Sequence, residues 1–125
     1  MNPGNELDNL VAENVMGWIR VPPGHELAGF WQTPDGDYRK GYEDLGGYWS
    51  DTPPFSQSIS AAWEVVNNFP AASFHLSKHP TIPKWEASFG IGFAKEERFS
   101  YMNGEGETPA HAICLAALRV IESTK

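Results

Sequence analysis

The stretch from Thr108 to the C-terminus constrains the fold more than any other. Thr108 is placed to cap a helix, Pro109 takes its first position, and Ile113, Ala116, Ala117, Val120 and Ile121 recur on one face. A helix with one apolar stripe must lay that stripe on a partner. Two more amphipathic segments and three alternating ones supply partners. From Asn5 to Trp18, Leu7, Leu10, Val11, Val15 and Trp18 keep helical spacing, with Asn5 as the expected N-cap and Gly17 weakening the far end. After Pro53-Pro54, Ser56 or Ser58 can cap a helix whose stripe is Ile59, Ala62, Trp63 and Val66, ending near Asn68.

Ser73 to Ser77, Trp85 to Phe89 and Arg98 to Tyr101 alternate and are bounded by Pro, Gly or Asn, which predicts three antiparallel strands. Gly90 and Gly92, on either side of Ile91, read as a bulge or a close backbone approach. Between Arg20 and Pro54 no period persists. Pro22-Pro23-Gly24, Pro34-Asp35-Gly36-Asp37 and Gly46-Gly47 punctuate short strands or ordered loops that hold Phe30, Trp31, Tyr38, Tyr42, Tyr48 and Trp49. The expected fold is therefore α+β, a small antiparallel sheet packed against about three helices in a sandwich-like arrangement. With 125 residues the chain is expected to be one domain.

Charge and composition exclude several functions. Hydrophobic residues at 41% can build a core, so disorder is not the main state, and a formal charge of −7 repels a nucleic-acid backbone. The single Cys114 makes neither an intramolecular disulfide nor a multi-cysteine zinc site. It reads as a small buried hydrophobe. His25, His75, His79 and His111 lack paired metal-ligand spacing, and Asp35, Asp37, Glu43 and Asp44 do not follow a calcium-loop pattern. No cofactor or metal is expected, no nucleophile and base pair emerges, and the chain is not expected to be an enzyme. No apolar run reaches the roughly 20 residues that span a bilayer. The expected location is the cytoplasm.

Three phrases carry a family resemblance. Leu7-Asp8-Asn9-Leu10-Val11-Ala12-Glu13-Asn14-Val15-Met16-Gly17-Trp18, then Pro54-Phe55-Ser56 with Ile59-Ser60-Ala61-Ala62-Trp63-Glu64-Val65-Val66, then Thr108-Pro109 with Ala112-Ile113-Cys114-Leu115-Ala116-Ala117-Leu118, resemble the phage ABA sandwich domain family. The resemblance implies a small sandwich encoded by a phage or prophage and acting in the host cytoplasm. In size, element order and C-terminal helix the chain is also similar to the anti-Thoeris sponge proteins of phages. That likeness implies a ligand of the cyclic ADP-ribose or cyclic oligonucleotide type, held without turnover against host defence by a homo-oligomer, a dimer or hexamer. The family often has arginine where this chain has Leu115, so Arg119 is the one base of the last helix besides the terminal Lys125. A structural or protein-interaction accessory protein is the alternative reading.

A nucleotide needs a flat face for its base and donors for its phosphates. Phe99 and Tyr101 alternate on a strand and share a face. They run into Asn103-Gly104-Glu105-Gly106-Glu107, which reads as a turn offering backbone amides ahead of the last helix. Phe99, Tyr101, Asn103, Gly104 and Arg119 are thus the expected ligand-binding residues. Arg119 lies about three turns, roughly 16 Å, beyond the helix start, so a second chain is expected to bring its own arginine to the turn. Alternate aromatics on strands also pack cores, and a plain strand-to-helix connection gives the same glycine pattern.

Overall fold

A computed structural model describes residues 1–27, 30–39, 52–70, 72–93 and 98–123, with side chains left out of the description at 92–100. The readings of Tyr42, Glu43, Asp44, Tyr48, Trp49 and Lys125 fall outside it. The first helix, α1 (Asn5–Leu10), continues through Val11–Val15 as a wider π-helical turn, in which the Met16 amide reaches the Val11 carbonyl at 3.0 Å. Gly17 ends it. At φ 72 it takes the left-handed conformation that lets the Trp18 N–H return to the Ala12 carbonyl at 2.9 Å. The N-cap position is Gly4, not the expected Asn5.

The irregular stretch contains a small antiparallel meander of β1 (Ile19–Arg20), β2 (Trp31–Gln32) and β3 (Tyr38–Arg39). Trp31 is fully buried at its centre, 6.5 Å from the Trp18 ring and under the Arg20 guanidinium at 4.0 Å. Arg39 grips Glu64 of α2 (Ile59–Asn67) through both nitrogens, at 3.0 and 3.3 Å. Ser58 holds the N-cap position of α2 without a side-chain bond, while the Ser56 hydroxyl is turned to Asp8.

The stripe expected on α2 is rotated in the structure. Ala61, Ala62 and Val65 are buried, whereas Trp63 remains 44% exposed with its edge 5.7 Å from the Phe74 ring. Trp63 is therefore not core. Small side chains on α2 let it approach the last helix closely, and the indole, too large for that seam, is turned out over the sheet edge.

The main sheet has the order β4-β5-β6: β4 (Ser73–Lys78), β5 (Trp85–Phe93) and β6 (Arg98–Gly106), all antiparallel. Its register runs unbroken past Gly90 and Gly92, so no bulge forms there. One face carries Phe74, Leu76, Trp85, Ala87, Phe89, Ile91 and Met102 toward the core, where Phe89 is fully buried. The last helix, α3 (Pro109–Ser123), lies along β6 and β5 on that face, with α2 and the π-helical turn beside it. Thr108 caps it as expected, its hydroxyl accepting the His111 N–H at 3.2 Å. An α+β sandwich-like arrangement is what the sequence predicts, with the meander as a second small sheet.

The expected turn at 103–107 is instead the end of β6. Gly104 and Gly106 alternate toward the core, where α3 presses on the strand backbone. A Cβ on Gly104 would lie 2.7 Å from the Ala112 carbonyl oxygen, and one on Gly106 would lie 2.7 Å from His111 Cγ. Both glycines serve close packing rather than flexibility.

Three stability outcomes follow from the packing. Gly104→Ala is expected to cost about 3 kcal/mol in urea unfolding, because the methyl meets helix backbone that cannot step aside. Trp63→Ala is expected to cost only about 1–2 kcal/mol, as half-exposed rings do; equal losses for the two variants would contradict this packing. Asp8→Ala, which strips a buried acceptor from the Ser56 and Gln57 donors described below, is expected to cost about 3 kcal/mol in the same assay.

Candidate functional site

Because β6 continues to Gly106 and α3 runs back along it, the two elements bring distant residues side by side. A groove of about 780 Å³ lies between them, with Asn103, Gly104, Leu115, Leu118 and Arg119 on its walls and Leu10 and Met1 at one end. Asn103 and Arg119 thus line one groove within a single chain. The separation of roughly 16 Å expected from the helix start does not apply, since Asn103 lies back along the strand, level with the third turn of α3. No second chain is needed to join them.

The five residues expected to bind a ligand take different positions. Asn103 and Tyr101 are exposed on the sheet face away from the helices, opposite Ser88 and Gly90 respectively. Gly104 is buried against α3 and forms part of the groove floor. Arg119 is exposed at the groove rim and pairs with no described residue. Phe99 stands in β6 opposite Gly92, and its side chain is among those not described. The amides at the start of α3 do not form the foreseen anion site. Thr108 accepts the His111 and Ala112 N–H groups, through its hydroxyl and carbonyl at 3.2 and 3.0 Å. The Glu107 N–H meets His111 Nδ1 at 3.4 Å.

The groove has one apolar wall, from Leu10, Leu115 and Leu118, and one polar rim. Leu115 makes this wall apolar where the resemblance implies arginine. On the rim, Lys84 binds Glu105 at 3.0 Å, and that hydrogen bond and charge hold the Glu105 carboxyl below the usual carboxylate range, with Arg119 pulling weakly the same way. Glu86 and Glu122 add further negative charge.

The sequence missed Glu86, Ser88 and His75. These side chains join Tyr101 and Asn103 around a second, shallower cavity of about 420 Å³ on the open sheet face. Their signal was the alternation of β4 and β5, but only the register places His75, Ser88 and Asn103 in one cross-strand row.

Two groups suited to nucleophilic or proton-transfer chemistry, Cys114 and His111, lie inside the fold. Cys114 is fully buried, and that burial pushes its thiol well above the usual range, with the Asp8 charge adding to the effect. His111 is buried too; Nδ1 accepts from Glu107, so Nε2 is the nitrogen that donates to the Met1 carbonyl at 2.7 Å. Among the described residues no three His, Cys, Asp or Glu side chains come together as a metal site, and no helix is long and apolar enough to cross a membrane.

No curated protein and no solved structure matches the chain. The model of the phage ABA sandwich domain matches residues 9–118. That span takes in the end of α1 with its π-helical turn, both sheets, α2 and α3 as far as Leu118, so the chain belongs to the phage ABA sandwich domain family.

Proposed function

We propose that this phage-family protein binds a small cyclic nucleotide, of the cyclic ADP-ribose or cyclic oligonucleotide type, and withholds it from a host defence system without chemical turnover. One observation carries this reading: the Asn103 amide and the Arg119 guanidinium share a groove with an apolar wall on a single chain. The arginine supplies a charge-assisted donor for a phosphate, the amide reads a polar edge, and Leu115 and Leu118 cover apolar ligand surface. The groove's acidic rim and the chain's charge of −7 favour a compact ligand with one clustered phosphate group over a long polyanion. The buried thiol of Cys114 and the engaged imidazole of His111 support binding over catalysis.

A protein-interaction role is the second reading, favoured by Ile59 and Trp63, which expose 41% and 44% of their surface on neighbouring turns of α2. The two readings converge on self-association. Light scattering at micromolar concentration is expected to give at least twice the 13.9 kDa chain mass. A monomer would count against a homo-oligomeric sponge.

Calorimetric titration with cyclic ADP-ribose isomers and cyclic di- and trinucleotides tests the main reading. A saturable heat is expected for one class, and a ligand at a thousandfold its Kd should stabilise the protein by about 4 kcal/mol. Heat denaturation should then release that ligand unchanged. Asn103→Ala and Arg119→Ala are each expected to weaken binding by about 1–3 kcal/mol while the protein stays folded. Flat titrations across the panel would overturn the reading.

A further inference from the structure

The open face of the main sheet is built from three cross-strand rows. Ser73, Gly90 and Tyr101 form one, His75, Ser88 and Asn103 the next, and Ser77, Glu86 and Glu105 the third. The cavity of about 420 Å³ over these rows shares Asn103 and Glu86 with the larger groove. A ligand lying in both would place one end on the sheet and the other round the β6 edge toward Arg119. Tyr101, which is 57% exposed, sets a flat ring on this face in the row next to that of Asn103.

The polar groups over this floor have fixed roles. The Ser88 hydroxyl donates to Asn103 Oδ1, which orients that carboxamide and leaves both hydrogens of its NH₂ to be offered to a ligand. Glu86 stands diagonally across from Asn103, a Cα separation of about 7–8 Å. Its carboxylate pairs with no described residue, and an ionised carboxylate only accepts. Asn103 and Glu86 together therefore set one donor beside one acceptor. The edge of adenine that carries N6 and N7 is the complement, a donor beside an acceptor, whereas hypoxanthine and guanine show two acceptors, O6 and N7, on the same edge.

We infer that this face is a base-reading subsite for an adenine ring, in which Glu86 accepts from the exocyclic amine, Asn103 donates to N7, and Ser88 positions the Asn103 amide. The inference rests on the nucleotide-binding reading above and adds to it the identity of the base and the two residues that select it.

Titration of cyclic ADP-ribose and of cyclic IDP-ribose, the same molecule with hypoxanthine for adenine, separates the possibilities. The parent protein is expected to prefer the adenine form by about tenfold or more, since the analogue sets O6 against a carboxylate. Glu86→Gln should abolish or invert that preference, because a carboxamide can turn its NH₂ toward O6. Ser88→Ala should weaken cyclic ADP-ribose binding about tenfold, and Ser88→Thr, which keeps the hydroxyl, should restore it. Glu86 is exposed and Ser88 half-buried on the open face of the sheet, outside the core, so melting temperatures close to the parent's are expected alongside. Equal affinity of the parent for both probes, an unchanged preference in Glu86→Gln, or parental affinity in Ser88→Ala would overturn the subsite while nucleotide binding stands. Failure of both probes to bind the parent would overturn the subsite and tell against the reading beneath it.

Discussion

Much of the structure depends on one buried carboxylate. Asp8 is 1% exposed, and burying an ion without partners would be prohibitive. Its Oδ1 accepts the Ser56 backbone N–H at 2.7 Å and the Ser56 hydroxyl at 2.6 Å, and its Oδ2 accepts from Gln57 at 3.2 Å. Ser56 Oγ also accepts the Gly4 N–H at 2.9 Å. The next residue extends the tie: Asn9 accepts from the Thr52 hydroxyl, which in turn accepts from the Trp31 indole at 3.1 Å. Two adjacent side chains of α1 thus clamp residues that lie more than forty positions away, and through Trp31 the meander as well.

That clamp explains why the family resemblance sits in separated phrases. Leu7-Asp8-Asn9 and Pro54-Phe55-Ser56 are far apart along the chain but form one contact, with Phe55 packed edge-on to Trp18 at 5.5 Å. Holding α1 and the 52–57 segment together sets Leu7, Val11 and Ala12 into the same core as Ile113, Ala116 and Ala117 of α3. The orientation of α3 then follows from its second contact, the glycine face of β6. The groove between β6 and α3 is the space left where that close contact gives way toward the strand edge.

What the sequence made legible was periodicity. Helical stripes and the Thr108-Pro109 cap marked the helices, and alternation marked the strands, because both patterns record which face meets water. Facing was less legible where side-chain size mattered. The apolar run on α2 suited several rotations, and the alanines, able to bring two helix backbones close, won over Trp63. The end of β6 was illegible for a related reason. Gly104 and Gly106 look like turn residues, and only the backbone of α3 against them shows that they are strand positions with no room for a Cβ. Asn103 and Arg119 could be picked out as polar residues without being placed. Their juxtaposition depends on that misread strand, and the roles of Glu86 and Ser88 depend on a register that no single strand encodes.

The same misreading changes how charge organises the site. Amides at a helix start would attract any anion, with little regard to its shape. Here those amides are taken by Thr108 and His111, and the groove offers one exposed guanidinium on an otherwise acidic rim. With Lys84 paired to Glu105, the Arg119 guanidinium attracts a polyanion weakly, because each further phosphate meets Glu86 or Glu122. The proposed binding then calls for a ligand whose negative charge is confined to one end and whose remainder gains from apolar contact with Leu115 and Leu118 and from hydrogen bonds on the open sheet. Leu115 on the groove wall moves the balance further from charge toward contact, and under the proposed reading selection by shape and hydrogen-bond pattern gains what electrostatic attraction loses.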